Sequence, residues 1–365
     1  MIYRLRLLVV MASLLAFINP AHAQASGTLA LTGTMSRGRA CHTATLMADG
    51  RVLMAGGIAG DGRVNADAEI YDPATGKFVD VGDMMRPRAC HGGVALPNGL
   101  VLLMGGVNRH GRISTVEVFD PATNTFSYIG EMNSIRSGFT ATTLNDGRVL
   151  ITGGYGQEIL SSAEIFDPAT FTFTAIESMT IPRYNHTATL LKDGRVLIVG
   201  GQVRSRGRNQ IFATAEIFDP ATETFRSTGS MSHPRHKHAA ALLPSGNVLI
   251  VGGSNEQDFN GRYATAEVYD VTKGEFFPIG NMASVRYKNA EAVVTLPNGG
   301  TLITGGTPII EVFNAETNTF SIANQTLDTD RYYGTATLLS DGSVLIAGGY
   351  DTNIESTKQA WIYKP

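Results

Sequence analysis

Seven arginines recur at near-regular spacing: Arg39, Arg88, Arg136, Arg183, Arg235, Arg286 and Arg331. Each lies four residues after Met35, Met84, Met132, Met179, Met231, Met282 or, in the last case, Leu327. Guanidinium groups in such a series could form a cationic ring for a carboxylate or sulfate. Six of the seven units also carry an acid downstream, at Glu69, Glu117, Glu164, Glu216, Glu267 and Glu311. Charges held on strands need partners when buried, so structural Arg–Glu pairing in every unit is the expected use. The seventh unit lacks the acid, which makes Arg331 the member expected to be free for a ligand.

Three residues beyond the arginine stand His42, His91, His186 and His238, but Phe139, Asn289 and Gly334 fill the same slot elsewhere. A histidine ring could bind metal. Phe and Gly in that slot favour packing and local hydrogen bonding instead, and no metal site is expected. Cys41-His42 and Cys90-His91 superficially resemble a Cys2His2 set, yet adjacent residues on a strand point to opposite faces. The two cysteines occupy equivalent slots of neighbouring units, and a disulfide between Cys41 and Cys90 can form if their Cα atoms come within about 7 Å.

The elements that must position these groups are short strands. Each unit carries a Gly-Gly pair, beginning at Gly56, Gly105, Gly153, Gly200, Gly252, Gly305 and Gly348. The fourth unit, HTATLLKDGRVLIVGG and then AEIFDPATETF, shows the pattern. Strand a is small and Thr-rich and ends at Asp193-Gly194, a pair that supplies the positive φ of a tight hairpin. Strand b is a continuous apolar run, as expected when both faces are covered. Strand c closes on a Pro-Ala-Thr turn, and strand d carries one phenylalanine. Sheets packed about an axis crowd at the centre and splay at the rim, which puts strand a inside and strand d outside. Four-stranded sheets repeated radially describe a seven-bladed β-propeller, an all-β fold.

The Gly-Gly pair and its turn grammar resemble Kelch repeats, the blade motif of the propeller family that includes galactose oxidase. The resemblance covers roughly residues 27–365. It implies the fold and is silent on function, because such propellers include enzymes, sugar binders and adaptors. The family's usual tryptophan in the outer blade is phenylalanine here, and the single tryptophan, Trp361, sits where other units have glutamate. Galactose oxidase chemistry would need copper and a tyrosine–cysteine crosslink. Neither cysteine lies beside a tyrosine in sequence, so no copper, other cofactor or catalytic residue is expected.

The chain has 365 residues, 17% charged and 43% hydrophobic, ample for a globular core. Residues 1–23 read as a signal peptide: Arg4 and Arg6, an apolar stretch from Leu7 to Phe17, and Ala21-His22-Ala23 as the cleavage site. The stretch is too short to span a bilayer, so stable membrane insertion is not expected. A periplasmic or secreted location is expected, with residues 24–365 forming one propeller domain. Losing Arg4 and Arg6 moves the formal charge from −3 to −5, which argues against a nucleic-acid partner. The last unit stops at its strand c, and residues 25–35 align without gaps with Ala74 to Met84. Residues 28–33 are therefore expected to complete the seventh blade, burying Leu29 and Leu31 and pairing an open edge.

Length varies in the loop from strand b to strand c, at 10, 9, 8, 13, 12 and 3 residues in units one to six. The remaining frame is 39 residues in units one to four, then 41 and 40. In a propeller the b–c and d–a connections share a face, so that face is diversified and is where binding is expected. The two residues after each arginine are small in units one to three: Ala40-Cys41, Ala89-Cys90 and Ser137-Gly138. In units four to seven they are Tyr184-Asn185, His236-Lys237, Tyr287-Lys288 and Tyr332-Tyr333. The b–c loops add Arg204, Arg206 and Arg208, then Arg262 and Tyr263. With Arg331, these are the candidate ligand residues, since rings and cations suit a sugar face and an anion. Their bland alternative is to plug a wide channel mouth. The reading is a monomeric, exported, non-catalytic module for a glycan or protein. An enzyme acting on an acidic sugar, like the exported Kelch-type sialic acid mutarotases, and a structural or adaptor role in the cell envelope stay open beside it.

Overall fold

The computed structural model describes residues 23–205, 208–255 and 261–365. The expected signal peptide, apart from Ala23, lies outside the described residues, as does Arg206. The fold is a ring of seven antiparallel four-stranded sheets. Blade one runs outward through Thr43–Leu46, Val52–Ala55, Asp67–Asp72 and Lys77–Asp83, and the others repeat that order.

The strand chemistry explains the layering. Strand b is buried along its whole length in blades one to seven, as in Val101–Met104 and Val196–Val199. The core is seven separate layers between neighbouring blades. One of them joins Leu53, Ile70 and Met84 to Val101, Leu103 and Phe119 of the next sheet. In strands c and d an aromatic pair faces across the ladder, as Phe119 with Phe126 and Phe313 with Phe320, centroids 4.9 Å apart. Such directly opposed rings stabilise the outer half of the sheet beyond their area burial.

The ring closes as the last strand requires. Thr28–Leu31 pairs antiparallel with Ala360–Lys364, matching Leu29 to Tyr363 and Leu31 to Trp361. Leu29 is buried, but Leu31 is 65% exposed, contrary to the expectation for it. Outer strands of adjacent blades diverge at the rim, and Leu31 lines the shallow groove between the last and first blades with no sheet to cover it. Ahead of it, Ala23–Ala25 adds a fifth, parallel strand to the rim of blade six, against Thr319–Ala323.

The Gly-Gly pair is the joint between blades. A Cβ on Gly56 would come 2.3 Å from the Arg88 carbonyl oxygen, and both Gly56 and Gly57 have positive φ. The Gly57 N–H donates to that same carbonyl, at 2.9 Å. The contact repeats around the molecule and closes with Gly349 donating to Arg39. Only glycine permits this approach at this dihedral.

Candidate functional site

The site is built on a second closed ring of backbone bonds. The N–H of Cys90 donates to the Cys41 carbonyl, Gly138 to Cys90, Asn185 to Gly138, Lys237 to Asn185, Lys288 to Lys237, Tyr333 to Lys288, and Cys41 to Tyr333. All seven residues have φ between 49° and 59°. Six of them are not glycine, so each holds roughly 1 kcal/mol or more of backbone strain that the ring must offset. Side chains at these positions line one axial channel of about 420 Å³. The residues just before them bridge to the residues after the Gly-Gly pairs, as Ala40 with Ile58 and Tyr332 with Tyr350. The d–a and b–c connections therefore share one face, the mouth.

The repeat arginines take no part in the mouth. Arg88 is fully buried, with Nη2 2.6 Å from Glu117 Oε1 and Nη1 2.9 Å from the Gly105 carbonyl. The other carboxylate oxygen accepts the Met85 N–H at 2.7 Å. Arg39, Arg136, Arg183, Arg235 and Arg286 are held by Glu69, Glu164, Glu216, Glu267 and Glu311, with Asp67 as a second acid on Arg39. Arg331 corrects the expectation of a free cation. It is 3% exposed, bonded to Asp328, and its guanidinium lies 5.2 Å from the Trp361 ring centre. Asp328, three residues earlier, supplies the charge that strand c omits, and the indole fills the glutamate's place.

The histidines are joints between inner strands. Nε2 of His42 meets Thr335 Oγ1 at 3.2 Å, and His91 meets Thr43 at 3.1 Å. His186 reaches Thr140 and Thr152, and His238 reaches Thr187. Burial, with the neighbouring Arg39 second, pulls His42 down to about 3. Burial and Arg183 do the same for His186, to about 3. His91 and His238 are pushed well below their ordinary value, mainly by burial. All four are neutral at pH 7.

The mouth is lopsided. On one side Cys41 and Cys90 are joined by a disulfide, with Cα atoms 4.9 Å apart, followed by Gly138 and Asn185. On the other, Lys237 Nζ donates to Tyr287 Oη at 3.0 Å and Lys288 Nζ to Tyr350 Oη at 2.7 Å. Arg262 Nη1 donates to Tyr332 Oη at 3.2 Å. The Tyr350 ring centre stands 5.6 Å from Tyr332 and 6.0 Å from Tyr333. Burial raises the Tyr332 phenol, with the charge of Asp330 adding to the shift.

Of the sequence candidates, the structure brings Lys237, Arg262, Tyr287, Lys288, Tyr332 and Tyr333 together. His236, Tyr287, Lys288 and Tyr332 are buried there as a floor, whereas Lys237, Tyr333 and Arg262 are half-buried at its surface. Tyr263 sits apart, 5.0 Å from the Arg235 guanidinium, and His236 lies edge-on to Tyr287 at 5.7 Å. Tyr184 joins a second cluster, 5.5 Å from Tyr155, whose other face carries Arg112 at 3.4 Å. Arg204 stands exposed on the ribbon Gln202–Ser205 with Arg208–Ile211; the Arg208 side chain lies outside the described residues. Asn185 is half-buried in the ring.

Sequence reasoning missed Tyr155 and Tyr350. Each directly follows a Gly-Gly pair, where other units carry Ile58, Val107, Gln202, Ser254 or Thr307, so aligning that column would have found them. It also missed Glu291. Arg286 precedes its glycine carbonyl, Gly305, by 19 residues, where the other units show 17. The two extra residues form a turn over Asn289–Ala292 that shortens strand a of blade six to Val293–Thr295 and puts Glu291 into the channel.

A family model described as the KLHDC2/KLHL20/DRC7 Kelch-repeats domain matches residues 14–201, just over half of the chain. A Kelch motif model matches residues 182–232. A stretch of 64 residues is 47% identical to tRNA wybutosine-synthesizing protein 4 of Saccharomyces cerevisiae (strain ATCC 204508 / S288c), covering 17% of this chain. The match spans 9% of that protein's length. Among solved structures, a novel fungal alcohol oxidase of the AA5 family, in complex with copper, is similar with a TM-score of 0.73. Identity is 16% over 94% of this chain and 76% of the other, a likeness of fold alone.

Proposed function

The chain belongs to the Kelch-repeat family, and from that premise we propose that it is an exported, non-catalytic module that binds a glycan at the mouth over blades four to seven. The observation that carries this reading is the tyrosine–lysine cluster: Lys237, Lys288 and Tyr333 stand on a ring of strained backbone, with Tyr350 packed beside them. Partly exposed phenol rings offer faces for sugar C–H groups, and ammonium groups beside them offer charge for an acidic substituent. Strain concentrated at one face is a cost that folds keep where a surface has work to do. Export rests on the basic and apolar pattern of residues 1–23.

The acidic-sugar enzyme needs an arginine for the substrate carboxylate. The repeat arginines cannot supply it, since each is closed by an acid of its own chain. The test is binding of the full chain to a panel of immobilised neutral and acidic glycans, alongside anomer exchange on sialic acid. Retention on acidic glycans with exchange at the buffer rate is expected. Exchange above the buffer rate, or binding to no glycan, contradicts the reading.

A further inference from the structure

Below the mouth, the channel holds a carboxyl group that the fold does not use. The Ala336 N–H donates to the Glu291 backbone carbonyl at 2.8 Å, and Ala336 lies three residues along strand a from Tyr333 of the ring. The inserted turn thus lies below the ring, beside the start of strand a of blade seven. The side chain is exposed to the channel's solvent, and the protein around it lifts its carboxyl above the usual range. In the same inserted turn Asn289 is fully buried, with neither its Oδ1 nor its Nδ2 hydrogen-bonded. Asn289 does not line the channel, so Glu291 is the polar group that the inserted turn presents to it. The insertion interrupts a strand that runs unbroken in the other blades.

We propose that the axial channel is a second binding site, for a small molecule carrying a primary ammonium group, with Glu291 as the anchor that accepts it. A carboxylate without an ion pair in a narrow channel is best compensated by an opposite charge, which a neutral hydroxyl does not supply. The other titratable groups lining the channel are His42, His91, His186, Lys237, Lys288 and Tyr333. The three histidines are neutral, and the lysines belong to the mouth ring, where each donates to a tyrosine. Among the described residues, burial and not a neighbouring charge sets the shift of Glu291. The volume of about 420 Å³ suits one amino acid or one amino sugar. An ammonium group favours the ionised carboxyl, and a proton held there leaves to solvent. The site does not depend on glycan binding at the mouth.

The test is calorimetric titration of the full chain near pH 6 with glucosamine, alanine and N-acetylglucosamine, each in two buffers of different ionisation enthalpy. At least one ammonium probe is expected to bind with net proton release, and N-acetylglucosamine to release none. Glucosamine alone identifies a sugar as the source of the ammonium, and alanine alone an amino acid. Glu291→Gln is expected to weaken that binding about tenfold or more and abolish the release. Ammonium probes that fail to bind, that bind without proton release, or that bind Glu291→Gln equally overturn the proposal. Should the variant unfold, proton release by the unaltered protein still decides.

Discussion

The six buried Arg–Glu pairs, expected from the sequence as structural partners, act as rivets in the fold. Each ties a strand-c carboxylate to the arginine entering the same blade and to the backbone of the preceding turn, as Glu117 does with Arg88 and Met85. Removing one partner strands the other without water. Glu117→Gln is therefore expected to cost about 3–5 kcal/mol in urea denaturation. Asp328→Asn, whose side chain is 46% exposed, should cost clearly less. Equal losses would mean that burial is not what makes the pairs matter. The histidines set a pH dependence of definite sign. In the unfolded chain they take a proton near 6.5, whereas folded His42 and His186 resist it down to about 3. Between those values the unfolded state binds more protons, so stability falls as pH falls, by up to about 1.4 kcal/mol per pH unit for each histidine. Above about pH 6.5 this contribution is fully present. Melting curves from about pH 7 to 4 should show the decline, with a shallower slope in His91→Asn. A flat profile would contradict the burial of these rings.

Among the elements, the closing strand has the most to lose. Thr28–Leu31 is the outer strand of blade seven, and the Leu29 N–H also donates to Gln325 Oε1 of the preceding blade at 2.5 Å. Leu29→Ala is expected to cost about 2–5 kcal/mol, and Leu31→Ala no more than about 0.5. Deleting residues 24–34 should abolish the cooperative thermal transition, and a truncated protein that melts like its parent would refute the closure. The strands, their order and this closure were legible because turn chemistry and strand composition repeat in register. The difference between Leu29 and Leu31 was not, because it depends on how far neighbouring rims diverge. Glu291 was half legible: the frame of 41 residues recorded an insertion, but only the fold places it inside the channel. The fate of Arg331 was hidden for a different reason. Its partner Asp328 comes from outside the repeating pattern, so register offered no hint of it.

At the level of the whole molecule, two closed rings of backbone bonds hold a symmetric frame, and the asymmetry lies in what the upper ring carries. Blades one to three present a disulfide and glycine at the axis; blades five to seven present two lysines and Tyr333. Binding should follow that division. The decisive measurement compares glycan retention by two double variants of equal melting temperature. One is Lys237→Ala with Tyr333→Ala, on the side of the cluster. The other is Arg109→Ala with His110→Ala, exposed on the b–c loop of blade two. Retention lost by the first, about tenfold or more, and kept by the second is the predicted result. Equal retention by both, or loss confined to the second, would contradict the account.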